Sequence, residues 1–262
     1  MNIVVCVKQV PETANVGLDR DSGYVRRGEV KGVVNLADRH ALELGLALKA
    51  AAGGNLIALC MGPTGADQAL RQALAVGYDE GYLVSDAALA GSDTGATATV
   101  LAAAVRKLPD VGLVITGEFS ADGATAQTAP RLAEALGFPM VSSVVEATLE
   151  GNTLSATRNG DARREQVAAP TPAVLSVSLD SGKPRIPNAM GVMKAAKKPL
   201  TTWSLADLGL SPEQAGQAGS CTWVTRSYKP EKREKGETLT GSAAELAQAL
   251  VDRLARKNLI EV

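Results

Sequence analysis

The sequence has few of the residues that build metal centres, disulfide frameworks and catalytic triads. Its 262 residues include one histidine, His40, and three cysteines, with no Cys-x-x-Cys pair. It contains no HExxH motif and no recognisable Ser/His/Asp set, so neither motif indicates hydrolytic chemistry. Cys6 and Cys60 lie inside apolar runs, where a free cysteine behaves as a small buried hydrophobe. We therefore expect no metal site and no disulfide, and we interpret His40 as an ordinary residue of a helix.

The sequence also lacks a large excess of one charge and long apolar runs, and aromatic residues make up only 3% of it. Lys and Arg total 27 and Asp and Glu total 28, a formal net charge of −1, which argues against nucleic acid as the main partner. No run reaches the roughly 18 apolar residues that suggest a transmembrane helix. Lys8 interrupts the first apolar stretch early, unlike a signal peptide. We expect no membrane insertion and a cytoplasmic protein.

Apolar residues make up 45% of the chain, and they recur as short β-rich runs between longer Ala/Leu-rich stretches. This alternation predicts an α/β fold, Rossmann-like, with a parallel sheet and helices on both faces. The predicted strands are 2–8, 55–62, 81–86, 112–117, 140–147 and 173–179. The predicted helices run from Asp38 to about Ala51, Gly65 to about Ala75, Asp93 to about Lys107, and about Ala124 to Leu136.

Two further segments complete the predicted architecture. Residues 151–166 alternate polar and apolar side chains around Asn159-Gly160, which predicts a β-hairpin excursion. After Leu200 the sequence is rich in turns, with a charged run at 226–237 interpreted as a solvated linker, followed by an amphipathic helix. Ser242 and Glu245 form the capping-box pattern at its start. We predict an α/β nucleotide-binding domain over 1–200 and a C-terminal arm over 201–262 that ends in a helix packing on a partner subunit.

The predicted strands end in loops of small and polar residues. In doubly wound sheets ligands bind outside the carboxyl ends of the strands, where helix N-termini offer free N–H groups to phosphate. Such loops follow at 8–11, 61–65, 85–97 and 118–127. There is neither a GxGxxG nor a GxxxxGK[ST] motif, so the loops alone fit a bound nucleotide and a plain helix-capping role equally well.

Five segments resemble the β subunit of electron transfer flavoproteins over essentially the whole chain. They are MNIVVCVKQVPET, NLADRHALELGLALK, ALRQALAVGYDEGYLVSD, ITGEFSADGATAQTAPRLAEALGFP and KPRIPNAMGVMKAAKKPL. The resemblance implies a heterodimer with an α subunit that carries a redox-active FAD and passes electrons between dehydrogenases and an acceptor. It also implies a nucleotide in the β subunit, either structural AMP or, in electron-bifurcating members, a second FAD that reacts with NADH.

Position by position, the resemblance implies nucleotide contacts in the four strand-end regions. These are Val7, Lys8, Gln9 and Val10; Asn35 and Asp38; Cys60, Met61, Gly62 and Pro63; and Ala121, Asp122, Gly123, Ala124, Thr125, Ala126, Gln127 and Thr128. The stretch SDTGAT is similar to that of bifurcating members, which implies that Asp93, Thr94 and Thr97 lie near a flavin diphosphate. FAD is therefore the predicted cofactor of this chain, with AMP as the alternative.

The chain also departs from the family pattern. Leu36 and Ala124 stand where the family usually has proline and an acid, and Ala189 stands where a leucine anchors partner dehydrogenases. In this respect the chain is closer to the Fix-type branch. We predict a docking patch, an apolar centre with a basic rim, formed by Ala189, Met190, Met193, Lys194, Lys197 and Lys198. The alternative from another class is a stand-alone, stress-type ATP-binding protein.

Overall fold

The computed structural model describes residues 1–12, 32–225 and 236–261. Of the charged run interpreted as a linker, residues 226–235 lie outside this described part. Contacts divide the chain into two compact units, Met1–Arg226 and Ser227–Val262. Each unit is described by itself below.

The first unit contains eleven described strands and five described α-helices. The strands are β1 (Asn2–Cys6), β2 (Gln9–Pro11), β3 (Gly32–Val34), β4 (Asn55–Met61), β5 (Glu80–Val84), β6 (Val111–Gly117), β7 (Met140–Glu150), β8 (Thr153–Asn159), β9 (Arg164–Pro170), β10 (Ala173–Val177) and β11 (Leu200–Trp203). The helices are α1 (Leu36–Ala52), α2 (Asp67–Val76), α3 (Thr94–Lys107), α4 (Thr128–Leu136) and α5 (Ala189–Ala195). The predicted α/β fold is confirmed.

Alternate residues of the central strand β1 face two separate cores. Ile3 and Val5 contribute to a core with α1 and α2, whereas Val4 and Cys6 contribute to a core with α3 and α4. All four are nearly or fully buried. A strand covered by helices on both faces has no solvent side, which explains its continuous apolar run.

The order in which the chain adds strands to the sheet reverses at the centre of the sheet, beside β1. The nine-stranded sheet has the order β11-β5-β4-β1-β6-β10-β7-β8-β9. The chain passes from β1 to β4 and β5 on one side and then returns to place β6 on the other side of β1, parallel to it. The carboxyl ends of β1 and β6 therefore flank a topological switch point, the usual position of a ligand in such sheets.

The hairpin is confirmed and one predicted helix start is wrong. Strands β8 and β9 pair antiparallel around residues 160–163, as the Asn159-Gly160 pattern predicts. Helix α4, however, begins at Thr128 and not near Ala124. Ala124 and Ala126 have φ values of 51° and 55°, which a right-handed helix does not allow. Residues 118–127 thus form a loop, called the 118–127 loop below.

The segment after residue 200 divides between the two units. Strand β11 pairs in parallel with β5, and Leu205 and Ala215 are buried in the core formed with α3 and α4. The boundary between the units therefore lies beyond the predicted boundary at 200, because apolar side chains within the turn-rich stretch reach this core.

The second unit contains one described helix, α6 (Ala243–Arg256). Its capping box is present: the Ser242 N–H donates to Glu245 Oε2 at 2.8 Å, and the Ser242 hydroxyl accepts from the Glu245 N–H at 3.5 Å. No residue of α6 is buried. Among the described residues, no helix has the length and apolar content needed to span a bilayer.

Close packing at Gly45 of α1 yields a test of the fold. A Cβ added there would lie 2.4 Å from the hydroxyl of buried Tyr78, which donates to the Leu42 carbonyl at 3.0 Å. Gly45→Ala should lower the free energy of unfolding by about 1–3 kcal/mol despite the better helix propensity of alanine, because the core cannot take the extra methyl group. Urea unfolding measures the effect.

Two variants serve as controls for the Gly45 prediction. Gly65→Ala introduces the same methyl group into open space and should leave stability nearly unchanged. Tyr78→Phe removes the clashing hydroxyl, so Gly45→Ala should cost less in that background. Equal costs in the two backgrounds would show that the contact with Tyr78 is not the cause.

Candidate nucleotide-binding site

Lys8 connects the two strand ends at the switch point. It follows β1, and its ammonium group lies 2.7 Å from Asp122 Oδ1 and 3.4 Å from Ser120 Oγ in the 118–127 loop, which follows β6. The Asp122 side chain is only 4% exposed, whereas that of Lys8 is 38% exposed. The buried carboxylate therefore holds a lysine that still faces solvent at this edge of the sheet.

Asn35, at the N-terminus of α1, holds the start of the same loop. Its side-chain Nδ2 donates to the Phe119 carbonyl at 2.8 Å, and its Oδ1 accepts from the Ala121 N–H at 3.1 Å. Its own N–H donates to the Lys8 carbonyl at 2.9 Å. The side-chain amide of Asn35 thereby holds the loop to α1, and its backbone N–H holds the start of α1 to the residue after β1.

Asp38, one helical turn further along α1, is hydrogen-bonded to the side-chain amide of Asn35. Its Oδ2 accepts from the Lys8 N–H at 2.7 Å, and its Oδ1 accepts from Asn35 Nδ2 at 3.0 Å. Burial raises the pKa of the Asp38 carboxyl to about 7, although hydrogen bonds from Asn35, Lys8 and Gly117 oppose the shift. Asp38 is therefore a buried acid that titrates near neutral pH.

The second half of the 118–127 loop contains two residues with unusual backbone conformations. Ala124 and Ala126 adopt left-handed backbone conformations, which alanine rarely does. Helix α4 follows with no side chain capping its first amides. Uncapped amides at a helix start are suited to binding a phosphate. The strained loop thus leads into a free helix N-terminus.

The end of β4 and the residues after it lie at the same edge of the sheet. Cys60 and Met61 end the strand, and Gln9 reaches across to donate from Nε2 to the Gly65 carbonyl at 3.1 Å. Burial raises the pKa of the Cys60 thiol to about 12, so it stays protonated at neutral pH. Gly62 leaves no room for a side chain, since a Cβ would lie 2.9 Å from the Cβ of Ala66.

The start of α3 differs from that of α4 because its amides already have an acceptor. Asp93 Oδ1 accepts from the N–H groups of Gly95 and Ala96 at 2.9 and 2.8 Å. Its Oδ2 accepts from Cys221 and from the backbone and hydroxyl of Thr222. Burial raises the pKa of Asp93, but these hydrogen bonds outweigh it and hold the pKa below its usual range.

Thr94 brings the start of α3 to the 118–127 loop. Its hydroxyl donates to Gln127 Oε1 at 3.0 Å. The Thr97 and Thr128 hydroxyls make no hydrogen bond to any other residue that the structure describes. The predicted site residues from β1, α1, α3 and β6 are therefore linked by direct contacts, and those after β4 join them through Gln9 and Gly65.

Comparison with known proteins identifies the family. Residues 23–208 match the family described as "Electron transfer flavoprotein domain". The chain belongs to the electron transfer flavoprotein family. It is 38% identical over 262 residues to the caffeyl-CoA reductase-Etf complex subunit CarD of Acetobacterium woodii, covering 99% of this chain and 100% of that protein.

Other relatives agree with this assignment. An electron transfer flavoprotein subunit beta of Thermoanaerobacterium thermosaccharolyticum is 37% identical over 261 residues, covering 99% of this chain and all of that one. FixA of Bradyrhizobium diazoefficiens is 32% identical over 262 residues, covering 97% of this chain and 91% of that one. The expected resemblance to β subunits and to the Fix-type branch is confirmed, and the family's function is electron transfer.

In this electron transfer flavoprotein subunit, the predicted docking patch lies on α5 and the turn after it. Met190 and Met193 are 65% and 73% exposed, and Ala189, Lys194 and Lys197 are also exposed. Lys198 has a different position, since its ammonium group donates to the carbonyls of Leu74 and Tyr78. It therefore fixes the segment to the end of α2 and does not project from it.

Two apolar cavities share Pro187, which lies just before the patch, and the lining of neither includes a predicted nucleotide-contact residue. One, of about 210 Å³, is lined by Leu42, Leu46, Ile186 and Pro187, with Arg39, Glu43 and Arg185 among its polar residues. The other, of about 460 Å³, lies between α2 and α5 and includes Val192 and Ala195. Arg185 forms a two-pronged ion pair with Glu43, with its shortest contact at 2.7 Å.

Sequence reasoning missed two sets of residues that support the site. Gly117, at the end of β6, lies so close to Asp38 that a Cβ would be 2.3 Å from Oδ1. A glycine that ends a buried strand before a polar loop is a sequence signal for such close approach. The contacts of Asp93 with Cys221 and Thr222 had no such signal, because they join residues far apart in the chain.

The pKa of Asp38 predicts a specific pH dependence of stability. Its folded-state pKa of about 7 exceeds the ordinary value of 3.8, so the folded protein holds this proton more tightly than the unfolded chain does. The contribution of Asp38 to the free energy of unfolding should therefore fall as pH rises from 3.8 to about 7, and then level off. Urea unfolding of the wild type and of Asp38→Asn from pH 5 to pH 8 measures it.

The difference between the two proteins isolates Asp38 from the other titrating groups. The wild type should lose stability relative to Asp38→Asn between pH 5 and pH 7, with no further relative change above about pH 8. Parallel profiles over the whole range would mean that the Asp38 carboxyl has the same pKa folded and unfolded.

Proposed function

We propose that this chain is the β subunit of a heterodimeric electron transfer flavoprotein that binds FAD at its own strand-end edge, in addition to a further FAD in the α subunit. The observation that carries this proposal is the Thr94–Gln127 hydrogen bond, because it joins the α3 start to the 118–127 loop. A ligand spanning both could place one phosphate at each, and FAD has two phosphates whereas AMP has one.

The two helix starts would bind the two phosphates of a diphosphate through different chemical groups. One phosphate would accept hydrogen bonds from the uncapped amides of α4 and from the 118–127 loop, with Lys8 supplying positive charge at the same edge. The second would accept from the Thr97 hydroxyl, which bonds to no other described residue, and from the Thr94 hydroxyl once it releases Gln127, because Asp93 occupies the amides of Gly95 and Ala96. Asp93 would then support this loop as a helix cap.

Bound there, a flavin would supply hydride acceptance from NADH and onward electron transfer to a high-potential and a low-potential acceptor, as electron bifurcation requires. The residues of this chain would bind and orient the cofactor and set its surroundings. The relative named as a caffeyl-CoA reductase-Etf complex subunit supports a role alongside a reductase. We propose a cytoplasmic complex.

The second candidate is a non-bifurcating subunit that binds structural AMP. The observation that favours it is the capped start of α3. With its first amides held by Asp93, only α4 among these two helices offers free N–H groups, which a single phosphate would satisfy. Its nucleotide would then stabilise the fold without reacting.

Residues 201–262 contain the arm proposed to contact the α subunit. Helix α6 carries Leu246, Leu250 and Leu254 at helical spacing, and Leu250 is 51% exposed. An unburied apolar stripe of this kind is typical of a surface that binds another chain. We propose that this stripe packs on the α subunit.

The nucleotide content of the complex tests the proposed cofactor. The chain should be co-expressed with its α subunit, purified and heat-denatured, and the released nucleotides separated by chromatography. Two FAD per heterodimer are expected. One FAD and one AMP would support the non-bifurcating candidate, and a monomer that releases ATP would contradict the subunit assignment itself.

Matched threonine variants then test where the second phosphate binds. Thr94→Val combined with Thr97→Val removes both proposed hydroxyls and should reduce the second FAD to well below one per heterodimer. Thr99→Val is the control, because this exposed threonine on the same helix bonds only to the Gly95 carbonyl, at 3.2 Å. Equal FAD content in all three proteins would exclude the hydroxyls as phosphate ligands.

The docking patch is proposed to receive the partner dehydrogenase or oxidoreductase. Met190 and Met193 would form its apolar anchor, and Lys194 and Lys197 its basic rim.

Met193→Asp should raise the KM for the partner roughly tenfold, since it places an unpaired charge in the apolar centre. Ala168→Asp, which adds the same charge on the exposed face of β9 at the far edge of the sheet, is the control. Steady-state electron transfer to the partner is the measurement, and an equal KM in both variants would contradict the proposal.

A further inference from the structure

The Asp38 carboxylate has no surface left for a ligand. The residue is 6% exposed, and its oxygens accept from the Lys8 N–H at 2.7 Å and from Asn35 Nδ2 at 3.0 Å. The Gly117 backbone also hydrogen-bonds to it. An acid enclosed in this way acts through its neighbours.

The backbone of β6 prevents this carboxylate from moving aside. A Cβ at Gly117 would lie 2.3 Å from Asp38 Oδ1 and 2.7 Å from the Asp38 nitrogen, so the strand end and the first turn of α1 are in direct contact. Asp38 is thus fixed relative to both β1, through Lys8, and β6, through Gly117.

From this fixed position Asp38 determines which way the Asn35 amide points. Asn35 Nδ2 donates both to Asp38 and to the Phe119 carbonyl, and its Oδ1 accepts from the Ala121 N–H. Rotating the amide by 180° would turn its oxygen towards two acceptors and its NH2 group towards a donor. Above the pKa of Asp38 the ionised carboxylate cannot donate to a turned amide, and the Phe119 carbonyl and the Ala121 N–H oppose the turn at any pH, so the observed orientation is favoured.

We propose that Asp38 is a positioning residue that acts through Asn35 to hold the 118–127 loop in the form that binds a nucleotide phosphate. This inference rests on the proposed nucleotide site and assigns Asp38 a role other than direct contact. Asp38→Asn would remove the constraint, because an amide at position 38 can donate to a turned Asn35 amide. The Ala121 N–H would then lose its acceptor, and the Asn35 side chain would no longer hold the loop to α1 by hydrogen bonds.

Hydrogen–deuterium exchange tests the proposal without any nucleotide. In the complex with the α subunit, the Ala121 amide should exchange at least tenfold faster in Asp38→Asn than in the wild type, since its acceptor is lost. The matched control is Asp79→Asn. Asp79 also accepts from a backbone amide, Leu56 N–H at 2.8 Å, and from a lysine, Lys49 at 2.6 Å, but it lies at the amino ends of the strands.

The control separates positioning from general destabilisation. Asp79→Asn should lower the free energy of unfolding while leaving exchange at Ala121 unchanged. Faster exchange at Ala121 in both variants, or in neither, would overturn the proposal.

A double-mutant cycle with AMP tests the route through Asn35. AMP is the probe because it is the portion common to both candidate cofactors, and calorimetry on the nucleotide-depleted complex gives its affinity. Asp38→Asn and Asn35→Ala should each weaken AMP binding by about ten- to a hundredfold, as expected for losing a buried hydrogen bond at the site. Asp38→Asn should add no further loss in the Asn35→Ala background. Additive losses would mean that Asp38 does not act through Asn35.

The two measurements distinguish failure of this inference from failure of the proposed function. Suppose that the wild-type complex binds neither AMP nor FAD in this subunit, while exchange at Ala121 responds to Asp38→Asn as expected. Asp38 then positions the loop through Asn35, but the nucleotide proposal is wrong. If AMP binds equally well to wild type and Asp38→Asn, the nucleotide proposal stands and the positioning role is wrong.

Discussion

The buried carboxylate of Asp38 is the point on which the functional edge of this protein depends. It joins the end of β1, the first turn of α1 and the end of β6 in one hydrogen-bonded cluster. Burying a carboxylate costs free energy unless donors compensate it, so its surroundings must supply N–H groups in fixed positions. That requirement explains why Gly117 ends β6 and why Asn35 precedes the helix. The 118–127 loop reaches Lys8 separately, through Asp122 and Ser120.

The two helix starts beside this cluster have opposite electrostatic arrangements. Helix α3 begins at Asp93, whose carboxylate satisfies the first amides and also binds residues 221 and 222. Helix α4 begins without a side-chain cap, after a loop whose Ala124 and Ala126 have strained backbones. Strain of this kind is typical of functional loops, where the geometry serves a ligand more than the stability of the chain. A bound anion would therefore be better placed at α4, whereas α3 would contribute hydroxyl groups to the proposed site.

The regular parts of the fold could be predicted from sequence because their signals are local. The apolar run of β1 follows from burial on both faces, the hairpin from Asn159-Gly160, and the start of α6 from the Ser242 capping box. Residues 124–127 were predicted as the start of a helix because alanine favours helices, whereas Ala124 and Ala126 are left-handed in a loop whose contacts with Asn35 and Lys8 join residues far apart in sequence. The structural roles of Lys198 and of residues 201–225 were missed for the same reason. Contacts across the fold decide them, and no short pattern records such contacts.

The position of the proposed nucleotide site relative to the proposed docking patch has a consequence for an electron carrier. The residues proposed to bind the nucleotide lie mainly at the carboxyl ends of β1, β4 and β6, whereas the proposed patch lies on α5 and the turn after it, beside α2. Lys198 and Arg71 tie the patch to α2 through backbone carbonyls. A partner docked on the proposed patch would therefore contact the segment that these hydrogen bonds hold to α2 and not the loop held by Asn35. Separating the proposed docking surface from the proposed nucleotide loop would allow weak, repeated docking without loss of the bound nucleotide.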